Sequence, residues 1–207
     1  MDTKVFYKLS YGVFLLSVKD EKRTNGCVIN TCVQVASNPT RIAISCINNN
    51  FSCELLKKSN KFTLSVFDNT VSFDTIKHFG LQSGRDVDKF KDFQHELNPD
   101  GIPYITKNVC AVMHCNAVSK EDLGSHTLFV ATVDDAQVLS QNAPLTYSDY
   151  QTKLKPRPAN ASTSQNKKIV AWKCKICGYV YKGEKLPDGY LCPLCGHSSD
   201  DFEPVYE

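Results

Sequence analysis

Residues 24–56 have the sequence TNGCVINTCVQVASNPTRIAISCINNNFSCELL, in which β-rich runs give way to a helical spacing. The runs 26–35 and 41–47 are rich in β-branched residues and are separated by a turn containing Asn-Pro, so they predict two strands. The next run, 49–59, begins with asparagine and serine, which commonly cap helices, and it has two lysines near its end. The stretch therefore predicts two strands that lead into a helix.

The remainder of the first 155 residues is also mainly strand. Four further runs are short, β-branched or aromatic, and bounded by turn residues: 12–18, 61–67, 110–118 and 127–139. A second helix is predicted near residues 72–80. Strands outnumber helices and do not alternate with them, which disfavours a doubly wound nucleotide-binding sheet, and no G-x-G-x-x-G motif occurs. We therefore predict a mainly β fold, a barrel or a sandwich, with a few helices.

Charge and hydropathy exclude several classes of function. The net charge is +2, and residues 1–155 carry 17 basic and 16 acidic side chains against 4 and 6 in residues 169–207. Nucleic-acid binders need clustered lysines and arginines, so we expect no nucleic-acid partner. No apolar run reaches the roughly 18 residues of a spanning helix, and no signal peptide opens the sequence. We expect a cytoplasmic protein that does not span a membrane.

The segment KPRPANASTSQNKK, residues 155–168, marks a domain boundary. It is rich in proline, serine, asparagine and lysine and lacks any large apolar side chain, so it cannot bury a core. We predict a first domain over 1–155, a flexible linker over 156–168 and a small second domain over 169–207.

The second domain contains a paired cysteine motif. Two C-x-x-C pairs, with 14 residues between them, are formed by Cys174, Cys177, Cys192 and Cys195. Each pair makes a tight loop, and two facing loops complete a tetrahedral site of four sulfurs. Gly178 and Gly196 follow the pairs, where a residue without Cβ can adopt a positive φ. The spacing alone leaves zinc and iron as alternatives.

The residues between the cysteines favour iron. The segments CGYVY, CPLCG and DDFEPV resemble rubredoxin over residues 170–205. The resemblance implies one iron ion in four thiolates, which accepts one electron at a time. It also implies an aromatic core of Trp172, Tyr179, Tyr190 and Phe202, with Tyr190 at a position where free-standing rubredoxins usually have tryptophan.

The other six cysteines do not suggest a second metal site. Two pairs have a C-x4-C spacing: Cys27 with Cys32, and Cys110 with Cys115. The other two cysteines, Cys46 and Cys53, belong to no such pair. Residues five apart on a strand face opposite sides of the sheet, so such a pair cannot converge without a bulge. We predict that these thiols are small buried apolar groups.

The larger domain resembles the flavin-reductase-like family of split-barrel FMN proteins. Residues 24–56 carry the main resemblance, and FGLQSGRDVDKF (79–90), GSHTLFVATV (124–133) and PLTYSDY (144–150) extend it over nearly all of 5–150. The resemblance implies an FMN-binding split β-barrel. It also implies a homodimer with FMN near the subunit interface.

The predicted FMN contacts combine this resemblance with physical chemistry. Asn48, Asn50 and Ser52 stand where a strand enters a helix, and unpaired N–H groups at a helix start favour a phosphate. The structural alternative is that they only cap the helix. The resemblance adds further contacts to the isoalloxazine or the phosphate from Asn30, Thr31, Cys32, Cys46, Ile47 and Lys89. It places His126 near the flavin and nicotinamide, as a catalytic candidate.

The two domains together predict electron transfer. NAD(P)H delivers two electrons as a hydride, an Fe(Cys)4 centre accepts one, and a flavin does both. The fusion is similar to two-domain carriers that supply flavodiiron oxygen or nitric oxide reductases, which implies a redox protein partner of that kind. Two alternatives remain: a passive FMN and iron carrier reduced by a separate reductase, and a zinc ribbon fused to a non-redox FMN-binding barrel.

Overall fold

The computed structural model of the chain describes residues 3–156, 169–175, 179–193, 196 and 198–206. The chain divides into two compact units, Met1–Lys155 and Pro156–Glu207. The predicted linker lies outside the described residues except for Pro156, and so do Cys177 and Cys195 of the predicted metal site. Within the described ranges, no helix combines the length and the apolar character that crossing a bilayer requires.

The first unit is built mainly from antiparallel strands. Its strands are β1 (Phe14–Lys19), β2 (Thr24–Ile29), β3 (Cys32–Ser37), β4 (Thr40–Ile47), β5 (Lys61–Phe67), β6 (Glu96–Leu97), β7 (Pro103–Tyr104), β8 (Val109–Asp122) and β9 (His126–Val138). Its α-helices are α1 (Phe51–Ser59), α2 (Phe73–Gly80) and α3 (Tyr147–Asp149). A 3-10 turn at Thr3–Lys8 and a π-helical turn at Tyr150–Leu154 flank them.

Seven of these strands form one sheet in the order β2-β1-β5-β8-β9-β4-β3. β2 and β3 are consecutive in the chain but lie at opposite ends of this order, and only Asn30 and Thr31 join them. Ile29 and Cys32 can therefore be at most about 11 Å apart. A flat sheet of this size would separate its edge strands by about 29 Å. The sheet must curl into a barrel, which confirms the predicted mainly β fold.

The break at Asn30 and Thr31 also corrects one sequence prediction. The run 26–35 was predicted as a single strand, but the structure forms two strands from it. Two polar residues interrupt the apolar run there, and the chain crosses from one end of the sheet order to the other. The connection between β2 and β3 is consequently a loop at the rim of the barrel.

The core of the first unit has two parts, because alternate residues of β1 face opposite sides. Phe14, Leu16 and Val18 join one buried cluster, whereas Leu15 joins the other together with Val13, the residue just before the strand. Helix α1 packs on the first cluster through Phe51, Leu55 and Leu56, and helix α2 packs on the second through Ile76 and Phe79. Burying each such side chain stabilises the fold by about 1.5–3 kcal/mol. The start of α1 is thereby fixed against the barrel.

The cysteines of the first unit belong to this core. Five are buried and Cys32 is half-buried; the buried ones are Cys27, Cys46, Cys53, Cys110 and Cys115. All six are free thiols. The prediction of small buried apolar groups is confirmed for these five.

The second unit is a small three-stranded sheet. Strands β10 (Ile169–Cys174), β11 (Val180–Lys182) and β12 (Phe202–Tyr206) pair antiparallel in the order β11-β10-β12. A 3-10 turn at Ser199–Asp201 leads into β12. Its buried cluster is aromatic and contains Cys174 and Cys192.

Candidate functional site

The end of strand β4 brings several of the predicted site residues together. Ile47 lies opposite His126 in the pairing of β4 with β9. On the other side of β4, the backbone N–H of Ser45 donates to the carbonyl of Thr31 over 3.4 Å. The β2–β3 loop, the end of β4 and the start of β9 therefore meet at one end of the barrel.

The β2–β3 loop presents half-buried polar groups at this end. The hydroxyl of Thr31 donates to the side-chain oxygen of Asn30 over 3.1 Å, which fixes both side chains. Next to them, burial raises the pKa of the Cys32 thiol to about 12, so this group stays protonated at neutral pH. Asn30 and Thr31 offer polar contacts to a ligand, whereas Cys32 packs against the core.

The side chain of Asn48 is fully occupied by contacts within the protein. Its Nδ2 donates to Asp122 Oδ1 over 2.9 Å and to the carbonyl of Gly124 over 2.8 Å. Its Oδ1 accepts from Thr127 Oγ1 over 2.5 Å and from Lys57 Nζ over 3.1 Å. These bonds use the two donors and both lone pairs of the amide. Asn48 thus ties the tip of the β8–β9 hairpin to α1. Its contact with the phosphate stays a prediction.

Asn50 and Ser52 define the start of α1. Asn50 is the N-cap residue, and its Oδ1 accepts the backbone N–H of Ser52 over 2.9 Å. The hydroxyl of Ser52 is buried and accepts from Asn25 Nδ2 over 2.9 Å. Ser52 therefore anchors α1 to strand β2 from inside. The contact of Ser52 with the phosphate stays a prediction.

A loop after α2 approaches Asn25 of strand β2 very closely, beside the start of α1. A Cβ added at Gly84 would lie 2.0 Å from Oδ1 of Asn25, so only glycine leaves room for the buried asparagine. The next residue is Arg85, whose guanidinium donates through two nitrogens to the carboxylate of Glu54 in the first turn of α1. Gly84 thereby allows the loop to hold Arg85 beside the helix start.

Two arginines flank the first residue of α1. The guanidinium carbons of Arg23 and Arg85 lie 4.3 Å and 5.1 Å from the ring centroid of Phe51. Both contacts are cation–π contacts, and both place positive charge near the positive end of the helix dipole. Sequence reasoning missed this pair, because the three residues are brought together only by the fold. The start of α1 therefore carries two guanidinium groups, of which Arg85 is paired with the carboxylate of Glu54.

Cys46 and Lys89 lie inside the protein. Cys46 is buried, and hydrogen bonds to Cys27 and then Cys53 raise the pKa of its thiol. The Lys89 ammonium donates to the carbonyls of Gly26 and Phe79 over 2.8 and 2.7 Å, and burial lowers its pKa. Lys89 links β2 to α2, and its role as an FMN ligand stays a prediction. The thiol of Cys46 is likewise directed into the core.

His126 is held at the start of β9. Its Nδ1 lies 2.8 Å from the hydroxyl oxygen of Ser125, and the ring is half-buried. The pairing with Ile47 places it beside the end of β4. His126 therefore lies at the same end of the barrel as the β2–β3 loop.

The chemistry of this end fits a phosphate-bearing flavin. Guanidinium groups and a helix start suit a dianionic phosphate, and half-buried amide and hydroxyl groups suit the polar edge of an isoalloxazine. Asn30, Thr31, Asn50, Arg23 and Arg85 would hold the group. A bound phosphate would share the guanidinium of Arg85 with the carboxylate of Glu54.

Two of the four cysteines of the predicted metal site lie among the described residues of the second unit. Cys174 and Cys192, the first cysteine of each pair, are buried among aromatic rings. The surrounding rings include the four predicted residues and one more: Trp172, Tyr179, Tyr181, Tyr190 and Phe202. Rings of Tyr190 and Phe202 meet edge to face at 5.6 Å between centroids. The predicted aromatic core is confirmed.

The backbone around these cysteines is also suited to sulfur ligands. Gly196 has a φ of +73°, as predicted, and its N–H donates to the carbonyl of Cys192 over 2.8 Å. The N–H of Cys174 donates to the carbonyl of Tyr179 over 2.7 Å. Cysteine sulfurs are the donors of a four-sulfur iron site, and Cys174 and Cys192 supply the two of them that the structure describes. The residues present fit the group.

Comparisons with known proteins agree with this division. A model of the flavin reductase like domain matches residues 6–153, and a model of the rubrerythrin, rubredoxin-like domain matches residues 172–203. A protein of Moorella thermoacetica described as high molecular weight rubredoxin is 34% identical over 229 residues, covering 99% of this chain and 100% of the relative.

Two further proteins match most of the chain. A protein of Archaeoglobus fulgidus described as ferric-chelate reductase (NAD(P)H) is 32% identical, over 79% of this chain and 96% of the relative. The crystal structure of an FMN-binding protein from Thermus thermophilus has a TM-score of 0.63 at 24% identity, over 77% of this chain and 93% of that chain. The latter shows a shared fold.

Proposed function

The chain belongs to the flavin reductase like family, in the two-domain form of high molecular weight rubredoxin, and from this membership we propose that it passes electrons singly from NAD(P)H to a redox protein. It is an oxidoreductase whose cofactors are FMN and iron. When bound, FMN accepts a hydride from a nicotinamide and releases electrons one at a time. The observation that carries the proposal is that one chain contains both a flavin reductase like unit and an aromatic, cysteine-bearing unit.

The proposed FMN site is the barrel end formed by the β2–β3 loop and the start of α1. Arg23 and Arg85 would neutralise the phosphate, together with the backbone N–H groups that follow Asn50. Asn30 and Thr31 would donate to and accept from the isoalloxazine edge. Ile47 would contribute apolar contact.

His126 is proposed as the catalytic residue on the nicotinamide side. The hydroxyl of Ser125 lies 2.8 Å from its Nδ1, which fixes the ring orientation. A ring held in this way can orient a bound substrate, and misplacement of a substrate by 1 Å can slow a reaction about a hundredfold. The substitution His126→Asn should therefore lower kcat for NAD(P)H oxidation and leave FMN affinity unchanged.

We propose that electrons leave through the second unit, where an iron ion would be held by Cys174, Cys177, Cys192 and Cys195. The aromatic cluster around Cys174 and Cys192 excludes water from the sulfurs, which tunes such a centre. Residues 169–207 carry 4 basic and 6 acidic side chains. An acidic surface of this kind suits a basic patch on an acceptor such as a flavodiiron oxygen or nitric oxide reductase.

The decisive experiment is anaerobic mixing of the isolated protein with NADH or NADPH while the visible spectrum is recorded. Bleaching of both the flavin and the iron–thiolate absorption supports the proposal. Persistence of both colours contradicts it and supports a passive carrier. Bleaching of the flavin alone shows that electrons do not reach the tail. Metal analysis adds a further check, because zinc in place of iron would indicate a zinc ribbon.

We also propose that the chain forms a homodimer. Strand β3 ends the sheet order, and its Val33 and Val35 are 54% and 51% exposed. An apolar edge strand left open to water is a template for association. Light scattering of the wild type and of Val33→Glu/Val35→Glu tests this, and a monomeric wild type would contradict it.

A further inference from the structure

A groove on the first unit lies apart from the residues assigned to FMN, except that Arg23 borders both. Three segments form it: the turn Lys19–Arg23 between β1 and β2, the end of α1 with the first residue of β5, and the loop at Asp100 and Ile102 before β7. Its volume is about 640 Å³. Small-molecule sites typically occupy about 300–1,000 Å³, so the groove is large enough for a nucleotide-sized ligand.

The lining of the groove is dominated by charge. Ten residues line it, of which five are basic and three are acidic, and Ile102 is the one apolar side chain among them. An aromatic ring would find little apolar contact here. A ligand that carries several negative charges would find a surplus of two positive ones.

Two of the three acids have hydrogen-bond or ion-pair partners within the protein. The carboxylate of Asp20 accepts the backbone N–H groups of Lys22 and Arg23 over 2.9 and 2.8 Å. Asp100 forms an ion pair with Lys61 at 2.6 Å. Among the described residues, Glu21 is the acid of the groove for which no hydrogen bond or ion pair is recorded. Asp20 keeps its negative charge, because backbone N–H groups stabilise a carboxylate without neutralising it. Glu21 and Asp20 would therefore both repel a bound anion, and Glu21 is the one of the two without a hydrogen-bond partner among the described residues.

Three lysines of the groove form no such bonds with the described residues. Within the described part of the chain, the ammonium groups of Lys19, Lys22 and Lys58 have no recorded ion pair or hydrogen bond. Lys19 reaches across to the opposite wall, since a Cβ added at Gly101 would lie 2.6 Å from its Nζ. Three ammonium groups are thus available around one cavity, and lysine is a common point-charge ligand of phosphate.

We propose that this groove binds a phosphate-bearing small molecule through Lys19, Lys22 and Lys58. The shared chemistry is an oligophosphate or a phosphate monoester. It could come from a free nucleotide or pyrophosphate, or from the 2′-phosphate of NADPH. The second source rests on the proposed function, whereas the first does not.

Isothermal titration of the full-length holoprotein with inorganic pyrophosphate at low ionic strength tests the site directly. We expect Lys22→Gln/Lys58→Gln to weaken binding at least tenfold, and Glu21→Gln to strengthen it about threefold by removing a repelling charge. The strengthened binding is the sharper result, because damage to the fold would not produce it. Added salt should weaken binding to the wild type.

The matched control is Lys91→Gln/Lys107→Gln, which removes two exposed lysines of the same unit that do not line the groove. It should bind pyrophosphate like the wild type. The proposal is overturned if the wild type does not bind at millimolar concentrations, if Lys22→Gln/Lys58→Gln binds as well as the wild type, or if the control is weakened as much.

Kinetics then distinguish the two sources. If NADPH is the ligand, Lys22→Gln/Lys58→Gln should raise the KM for NADPH and leave the KM for NADH unchanged. If a free oligophosphate is the ligand, neither KM changes while pyrophosphate binding is still weakened. Failure of the proposed function would instead abolish oxidation of both nicotinamides and leave the pyrophosphate titration intact.

Discussion

The close approach at Gly84 predicts a large effect for the addition of one methyl group. In Gly84→Ala the new Cβ would lie 2.0 Å from Oδ1 and 2.4 Å from Cγ of Asn25, where about 3 Å is the closest contact that folded proteins tolerate. Either the loop or Asn25 must move by about 1 Å. Because Asn25 is 1% exposed, the side chain has no open space to enter.

The magnitude follows from what this movement breaks. Asn25 Nδ2 donates to the buried hydroxyl of Ser52 over 2.9 Å. Leaving a buried pair unsatisfied costs about 1–3 kcal/mol, and overpacking costs a similar amount. We expect Gly84→Ala to lower the free energy of unfolding of the first unit by about 2–4 kcal/mol. With an m-value of about 2 kcal/mol/M, the urea midpoint should fall by about 1–2 M.

The chain provides its own reference for this measurement. Trp172 is the single tryptophan and lies in the second unit, so its fluorescence follows that unit. Far-UV circular dichroism follows mainly the larger first unit. Gly84→Ala should therefore shift the dichroism transition and leave the fluorescence transition unchanged.

A double-mutant cycle tests the cause. Asn25→Ala removes the obstacle, so adding Gly84→Ala to it should lower stability by less than about 0.5 kcal/mol further. Strictly additive losses would refute the steric argument. So would a Gly84→Ala variant that is as stable as the wild type.

Three further predictions follow from the same contacts. Arg85→Gln should raise the dissociation constant for FMN about tenfold by removing a charge next to the phosphate, as fluorescence titration of apoprotein would show, and an unchanged constant would exclude Arg85 from the site. Cys192→Ala should remove the iron–thiolate absorption and leave the flavin spectrum, whereas an intact iron band would contradict its role as ligand. Burial lowers the pKa of Lys89 below the ordinary 10.5, so protonation favours the unfolded chain, and wild-type stability should rise as pH approaches 10.5. Lys89→Met should show no such rise in urea titrations at pH 7 and pH 10, and parallel behaviour of the two proteins would contradict the argument.

The local sequence pattern was sufficient to predict the position of several strands and helices. The β-branched runs at 41–47 and 61–67 coincide with β4 and β5, and the caps of 49–59 agree with α1. The pattern predicted the end of a strand less well where the strand continues through polar residues. Strand β8 extends to Asp122 rather than to the predicted residue 118, because the long hairpin with β9 supplies backbone partners for side chains that would otherwise indicate a loop.

The candidate site was predictable in position but not in detail. Asn48, Asn50 and Ser52 are at the helix start as expected, yet two of them are occupied by partners distant in sequence. Asp122 lies 74 residues from Asn48, and Asn25 lies 27 residues from Ser52. No local periodicity encodes such pairings. Arg85 was missed for the same reason, since its contact with α1 spans 31 residues.

The two-residue connection between β2 and β3 has a consequence for how the chain can vary. Surface loops usually accept extra residues with little penalty. Here the connection consists of Asn30 and Thr31 alone, and its short length keeps the two end strands of the seven-stranded sheet close together. Each inserted residue would allow β2 and β3 to move up to about 3.5 Å further apart, and the barrel would open between these two strands. Evolution can therefore change the chemistry of this rim by substitution much more readily than by lengthening it.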